Sequence, residues 1–156
     1  MTPPKPPSLQ IDPEWEIHVW RLLDAQFGIP RKPQYRLLRS GRKRIRLVSE
    51  AVYNLLPQLP FKGTAGLYVG EYSPNAIRLS MDGAQLLGSL ATKQVIELDD
   101  DQAETWLKGE PINYKAEHKG YVIVVNKGDI LGCGSISEGV LHSFVPKVRR
   151  LKQSKS

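Results

Sequence analysis

The chain has 156 residues, 40% of them apolar, with three tryptophans and a single cysteine; this suits one domain or two small ones sharing an interface and excludes an internal disulfide or a multi-cysteine zinc site. The formal charge of +6 is unevenly spread: residues 1–63 carry 11 basic and 5 acidic groups, 64–146 carry 6 and 11, and 147–156 carry 5 and none. Basic terminal regions therefore flank an acidic centre, the segregation that an oriented polyanion site needs.

Residues 1–11 are Pro-rich and polar and are expected to be disordered. Asp12-Pro13-Glu14 reads as a helix start, with Asp at the N-cap, Pro in the first turn and acids behind it. Ile17, Trp20, Leu23 and Phe27 then recur at three- and four-residue steps, predicting one apolar helix face that ends at Gly28, before Ile29-Pro30. In "YRLLRSGRKRIRLVS" (35–49) two β-prone runs flank Ser40-Gly41-Arg42, a hairpin signal. Ser49-Glu50 caps a short helix that Pro57 and Pro60 end. "GLYVGEYS" and "AIRLSM" bracket Pro74-Asn75 as a second hairpin. "MDGAQLLGSL" reads as a short helix, "QVIEL" as a strand, and "DDDQAETWLKG" as an acid-capped helix closing at Gly109. "GYVIVVN" and "DILGCGSI" pair across Lys127-Gly128. The expected class is α+β: a helix-plus-hairpin unit over 12–63, a small mixed β-barrel with short helices over 64–151, and a basic tail over 152–156.

Gly132-Cys133-Gly134 admits two readings, a phosphate-cradling loop beside a reactive thiol or glycines that serve backbone geometry. A phosphate loop must follow a strand and open a helix, whereas this triplet lies within the second arm of a hairpin. Strand glycines mark bulges or a close approach of another chain segment. A nucleophilic cysteine needs a base or a lowered pKa, and the strand places no base beside Cys133. The turn therefore reads as shape, and no catalytic residue, cofactor or metal is assigned. His18, His118 and His142 are far apart and lack ligand spacing. Asp99-Asp100-Asp101 reads as a helix N-terminus. No run of about 18 apolar residues predicts a membrane span, and "MTPPKPPSLQ" has no apolar signal-peptide core. With one cysteine, a reducing cytoplasm is the expected compartment.

The same hairpin carries a family resemblance. A glycine, an alternating strand, a polar turn and apolar-Gly-x-Gly resemble the closing strands of a PUA domain, the RNA-binding barrel of pseudouridine synthases and archaeosine transglycosylases. In order, "TWLKGE", "GYVIVV", "LGCG" and "GVLHSFVPKVRR" resemble the PUA-like C-terminal domain of Sun-type RNA 5-methylcytosine methyltransferases. The matching positions are Trp106 to Glu110, Gly120 to Val124, Leu131 to Gly134, Gly139 to Leu141, Pro146, Lys147 and Arg150, a resemblance spanning about 66–151. Ser135 and His142-Ser143 replace the family's lysine and "KN". The resemblance does not extend to the methyltransferase catalytic half, and no Pro-Cys or Thr-Cys dipeptide supplies its nucleophile. It implies a PUA-like, non-catalytic RNA reader.

Two basic constellations are candidates for RNA contact. Residues 31–46 hold Arg31, Lys32, Arg36, Arg39, Arg42, Lys43, Arg44 and Arg46 with no acid among them, and crowded like charges favour a compensating anion such as RNA phosphate. The second is "PKVRRLKQSK", with Lys147, Arg149 and Arg150. Tyr72 and Tyr121 are candidates for base stacking. The assigned RNA-binding set is thus Arg36, Arg39, Arg42, Lys43, Arg44, Arg46, Tyr72, Lys147, Arg149 and Arg150. The partner expected is structured RNA (rRNA or tRNA), together with an RNA methyltransferase or a ribosomal assembly complex. The rival readings are a protein adaptor using the acidic centre and a small RNA-modifying enzyme using Cys133 or an acid.

Overall fold

The computed structural model describes residues 9–59, 66–115 and 117–152. Helix α1 (Pro13–Phe27) starts where Asp12 accepts the Trp15 N–H at 3.2 Å and stops at Gly28, whose left-handed φ of 68° lets its N–H donate to the Asp24 carbonyl at 2.8 Å. Strands β1 (Leu9–Gln10), β2 (Tyr35–Ser40), β3 (Arg44–Ser49), β4 (Leu67–Ser73) and β5 (Ala76–Leu79) form an antiparallel sheet in that order. The short helix α2 (Glu50–Leu55) follows β3, capped by the Ser49 hydroxyl, and passes into a 3-10 turn at Leu56–Gln58 containing Pro57. Helix α3 (Met81–Leu87), capped by Ser80, leads out of β5.

The second sheet is mixed and curls as a half-barrel. It contains β6 (Val95–Glu97), β7 (Ile112–Asn113), β8 (Gly120–Asn126), β9 (Asp129–Ser137) and β10 (Val140–Ser143) in the order β6-β8-β9-β10-β7. Only the β6–β8 pairing is parallel, and helix α4 (Asp100–Leu107) follows β6 directly. Asp99 and Gln102 cap α4 reciprocally, side chain to backbone in both directions. Val122, Val124, Ile136 and Leu141 pack against Trp106 and Ala103 of α4 on one face. On the other face Ile123 and Cys133 join Trp15, Val19, Trp20, Leu23, Phe27, Ile77 and Leu79 in one apolar core. Burying side chains of this size contributes about 1.5–3 kcal/mol each, so the two sheets hold each other together.

The glycines around Cys133 make room for an indole. A Cβ on Gly132 would meet the Trp106 ring at 2.9 Å, and one on Gly134 would meet the His142 carbonyl oxygen at 2.7 Å. The hairpin spanning the triplet, its turn at Lys127-Gly128 and the two earlier hairpins form as the sequence predicts.

Three expectations are corrected. Leu9 and Gln10, placed in a disordered tail, pair with Ser40 and Arg39, and Leu9 is buried among Leu38, Val48 and Leu56; residues 1–8 lie outside the described residues. Ile17 is 39% exposed. It sits about 200° around the helix from Trp15, and the buried stripe runs instead through Trp15, Val19, Trp20, Leu23 and Phe27. The boundary set at 63/64 lies in a segment outside the described residues, but β3 and β4 on either side of it pair with one another. Residues 66–79 therefore complete the first sheet and are not part of the second. Of the basic tail at 152–156, only Lys152 is described.

Candidate nucleic-acid interface

The basic hairpin divides into cations the fold uses and cations it leaves exposed. Arg36 grips the buried Glu16 carboxylate, its Nε 3.0 Å and its Nη2 2.9 Å from the two oxygens, while the Leu37 N–H donates to the same group at 2.8 Å. Its guanidinium also lies 3.6 Å from the centre of the Tyr53 ring. The Glu16 bond holds Arg36 above its ordinary pKa. Arg39 donates to the Arg42 carbonyl at 3.1 Å, lies 3.7 Å from Asp12 and sits over the Trp15 ring. These two arginines, expected at the RNA, tie the hairpin to α1 and close its turn. Arg42, Lys43 and Arg44 are exposed. Arg46 donates to the Gly66 carbonyl at 3.0 Å.

Tyr72 is likewise engaged. Its ring lies 5.7 Å from both Trp15 and His18 in edge-on contacts, so it packs β4 against α1. Tyr68, not singled out from the sequence, occupies the opposite face. Simple alternation would put residues 68, 70 and 72 on one side, but β4 carries a bulge. Ile45 pairs with Gly70 and Arg46 with Tyr68, leaving Val69 as the extra residue. The bulge returns Tyr68 to the outer face.

On that outer face the cross-strand register assembles a charged row. Arg44 pairs with Glu71, and Glu71 with Arg78; directly opposed residues share a face. Arg78 Nη2 lies 3.2 Å from Glu71, and its guanidinium is 5.2 Å from the Phe144 ring centre. Burial pushes the Tyr68 hydroxyl pKa up, Glu71 adds to the rise, and Arg78 and Arg44 oppose it. The row opens into a groove of about 360 Å³ lined by Tyr68, Arg78, Ser80, Phe144, Lys147 and Arg150. Lys147 is exposed at the start of a 3-10 turn, Lys147–Arg149. Arg150 donates from Nε to the Val145 carbonyl at 2.9 Å and lies against Gly109. Arg149 is turned to Asp82 at 3.0 Å.

Of the sequence-assigned residues, Lys147 and Arg150 line one groove with Arg78, Arg44 stands one strand beyond Glu71 in the same cross-strand row, and Arg42 and Lys43 lie at the hairpin tip. Arg36, Arg39 and Tyr72 belong to packing, and Arg149 to an ion pair. Tyr68, Arg78 and Phe144 were missed. The only signal for Arg78 was the outward polar alternation of "AIRLS".

Nucleophilic chemistry finds little support. Cys133 is 3% exposed, and burial pushes its thiol up to about 12, so the thiolate is negligible at neutral pH. Asp99 caps α4, and Asp100 bonds to Lys127 at 2.7 Å and Asn126 at 3.1 Å. The described residues contain no group of three or more His, Cys, Asp or Glu placed to hold a metal ion, and no described helix is long and apolar enough to cross a membrane.

An α+β chain whose mixed half-barrel presents "LGCG" on a central strand and ends in a basic segment has the PUA-like architecture, an RNA-binding rather than a catalytic type of domain. Residues 93–151 match the family model described as the methyltransferase RsmF PUA domain, so this part of the chain is similar to that domain, in keeping with a PUA-like domain without the catalytic one. No curated protein matches the chain. The matched span begins just before β6 and takes in the whole second sheet, so it is shorter than the 66–151 of the sequence resemblance. The first sheet lies outside it.

Proposed function

We propose that this protein is a non-catalytic reader of structured RNA, rRNA or tRNA, that assists RNA modification or ribosome assembly in the cytoplasm, acting beside an RNA methyltransferase. The observation that carries this reading is the continuous outer face on which Arg44, Arg78, Lys147 and Arg150 line up with Tyr68 and Phe144. Cations at this spacing meet phosphates, while the rings offer stacking surface to unpaired bases. Much of the acidic centre is used internally, since Glu71, Asp82, Asp99 and Asp100 all have partners within the chain. That favours RNA over a basic protein as the ligand.

The test is a titration of a tRNA or an rRNA fragment at three salt concentrations, with wild type and the variant R42E/K43E/R44E. The variant is expected to lose binding while keeping its circular dichroism. K147Q/R150Q is expected to weaken binding and to flatten the slope of log affinity against log salt by about 0.7–0.9 per lost phosphate contact. Equal affinities and slopes for all three proteins would discard the interface.

A further inference from the structure

A cavity of about 760 Å³ plays no part in the interface described so far. Its walls come from the end of α1 (Ala25, Gln26), the β4–β5 turn (Asn75, Ala76) and the segments holding Lys93, Gln94, His118, Lys119 and Tyr121. The walls are fixed by internal bonds. Gln94, at a left-handed φ of 57°, donates from its amide nitrogen to the carbonyls of Lys119 at 2.9 Å and Tyr121 at 3.0 Å. Both amide protons are thereby used and the amide oxygen can only accept, so it takes a proton from His118 Nδ1 at 3.0 Å. His118 Nε2 is then left to accept when the ring is neutral. The N–H groups of Thr92 and Lys93 both donate to the Phe27 carbonyl at 2.9 Å, and Gln26 bonds both backbone groups of Ile77. The cleft is thus a shaped recess lined by Lys93, whose Nζ donates to the Ala25 carbonyl at 3.5 Å, and by Lys119, neither in an ion pair among the described residues.

Cleft and groove meet at one pair of rings. Tyr121, in the cleft wall, has its ring centre 6.0 Å from that of Phe144, in the groove wall, at an interplanar angle of 58°. The Arg78 guanidinium lies 5.2 Å from the Phe144 ring centre. Cations therefore stand at both ends of a short aromatic bridge: Arg78, Lys147 and Arg150 on one side, Lys93 and Lys119 on the other.

We infer that an unpaired stretch of RNA, a single-stranded end or a loop, runs from the groove over Phe144 and Tyr121 and lodges a nucleotide in the cleft. This inference rests on the RNA-binding reading above and specifies the ligand. A base-paired helix keeps its bases stacked on each other and presents mainly backbone. Two tilted rings in a trough flanked by cations match splayed bases on a tracked backbone. Lys93 and Lys119 pair with phosphates at the cleft, and His118, whose Nδ1 is held by Gln94, offers Nε2 to a base or ribose group.

The experiment compares a blunt RNA hairpin, the same hairpin with a single-stranded overhang, and oligouridylates of about 4 to about 16 nucleotides, by fluorescence anisotropy against wild type, K93E/K119E and R78E/K147E. The wild type is expected to bind the overhang hairpin at least about tenfold more tightly than the blunt one, a gain of about 1.4 kcal/mol. K93E/K119E is expected to remove that advantage and to lower the salt slope for single strands by about 1.4, two contacts at about 0.7 each. R78E/K147E is expected to weaken every RNA. An overhang advantage that survives K93E/K119E overturns the cleft as a nucleotide site and leaves the groove reading standing. A wild type that binds none of these RNAs overturns both.

Discussion

Arg36 shows how a residue chosen for its charge is taken up by the fold. Glu16 is 1% exposed, and a buried carboxylate keeps its charge only with a partner and satisfied oxygens. Arg36 and the Leu37 N–H supply both. Arg36→Ala leaves that charge unpaired and is expected to cost about 3–5 kcal/mol, read from urea denaturation. Any loss of RNA binding in that variant should follow loss of fold, whereas R42E/K43E/R44E should lose binding with unfolding unchanged. At Cys133 the chemistry is quiet. Cys133→Ser is expected to shift stability by no more than about 1–2 kcal/mol and to leave RNA affinity as it was. A thiol whose pKa is raised by burial to about 12 should resist alkylation by iodoacetamide at neutral pH in the folded protein and react once the protein is unfolded, which mass spectrometry reads directly.

Strand β9 and helix α4 depend on each other through a space of one indole. Gly134 is the sharper position, because the atom its Cβ would strike is the His142 carbonyl on the paired strand β10, which cannot rotate away. Gly134→Ala is expected to push β9 and β10 apart or displace Trp106, at about 1–3 kcal/mol, with a change in tryptophan fluorescence. At the other end of α4, Asp99→Ala removes the reciprocal cap and is expected to cost about 0.5–2 kcal/mol, with RNA affinity retained. These elements were legible as a helix, a hairpin and a glycine-rich arm. The reason for the glycines was not, because Trp106 lies 26 positions before Gly132 in the chain and meets it only across the packed layer. The same holds for Tyr68: a single extra residue at Val69 reverses the side chains beyond it, and alternation counted along one strand cannot detect a bulge that the pairing partner defines.

For the molecule as a whole, the shared core has a consequence for dissection. Val69, Ile77 and Leu79 pack with α1 on one side and with Ile123 and Cys133 on the other, and β4 needs β3 as its neighbour. A fragment beginning at residue 64 would expose that surface and an unpaired strand edge. It is expected to lack a cooperative thermal transition, checked by circular dichroism, even though it contains the whole PUA-like span. The sequence by itself determined nearly all the larger helices and hairpins, the PUA-like character of the C-terminal half, and the segregation of basic ends from an acidic centre. Those properties are local: caps, turns, periodicity and charge runs are written within a few residues of each other. The tertiary structure alone decided which cations are spent on Glu16, Asp12 and Asp82, which rings face the groove, and that two sheets share one core. Each of those outcomes depends on residues distant in sequence meeting through strand register and layer packing, which set the geometry of a site and leave no mark in any single stretch of chain.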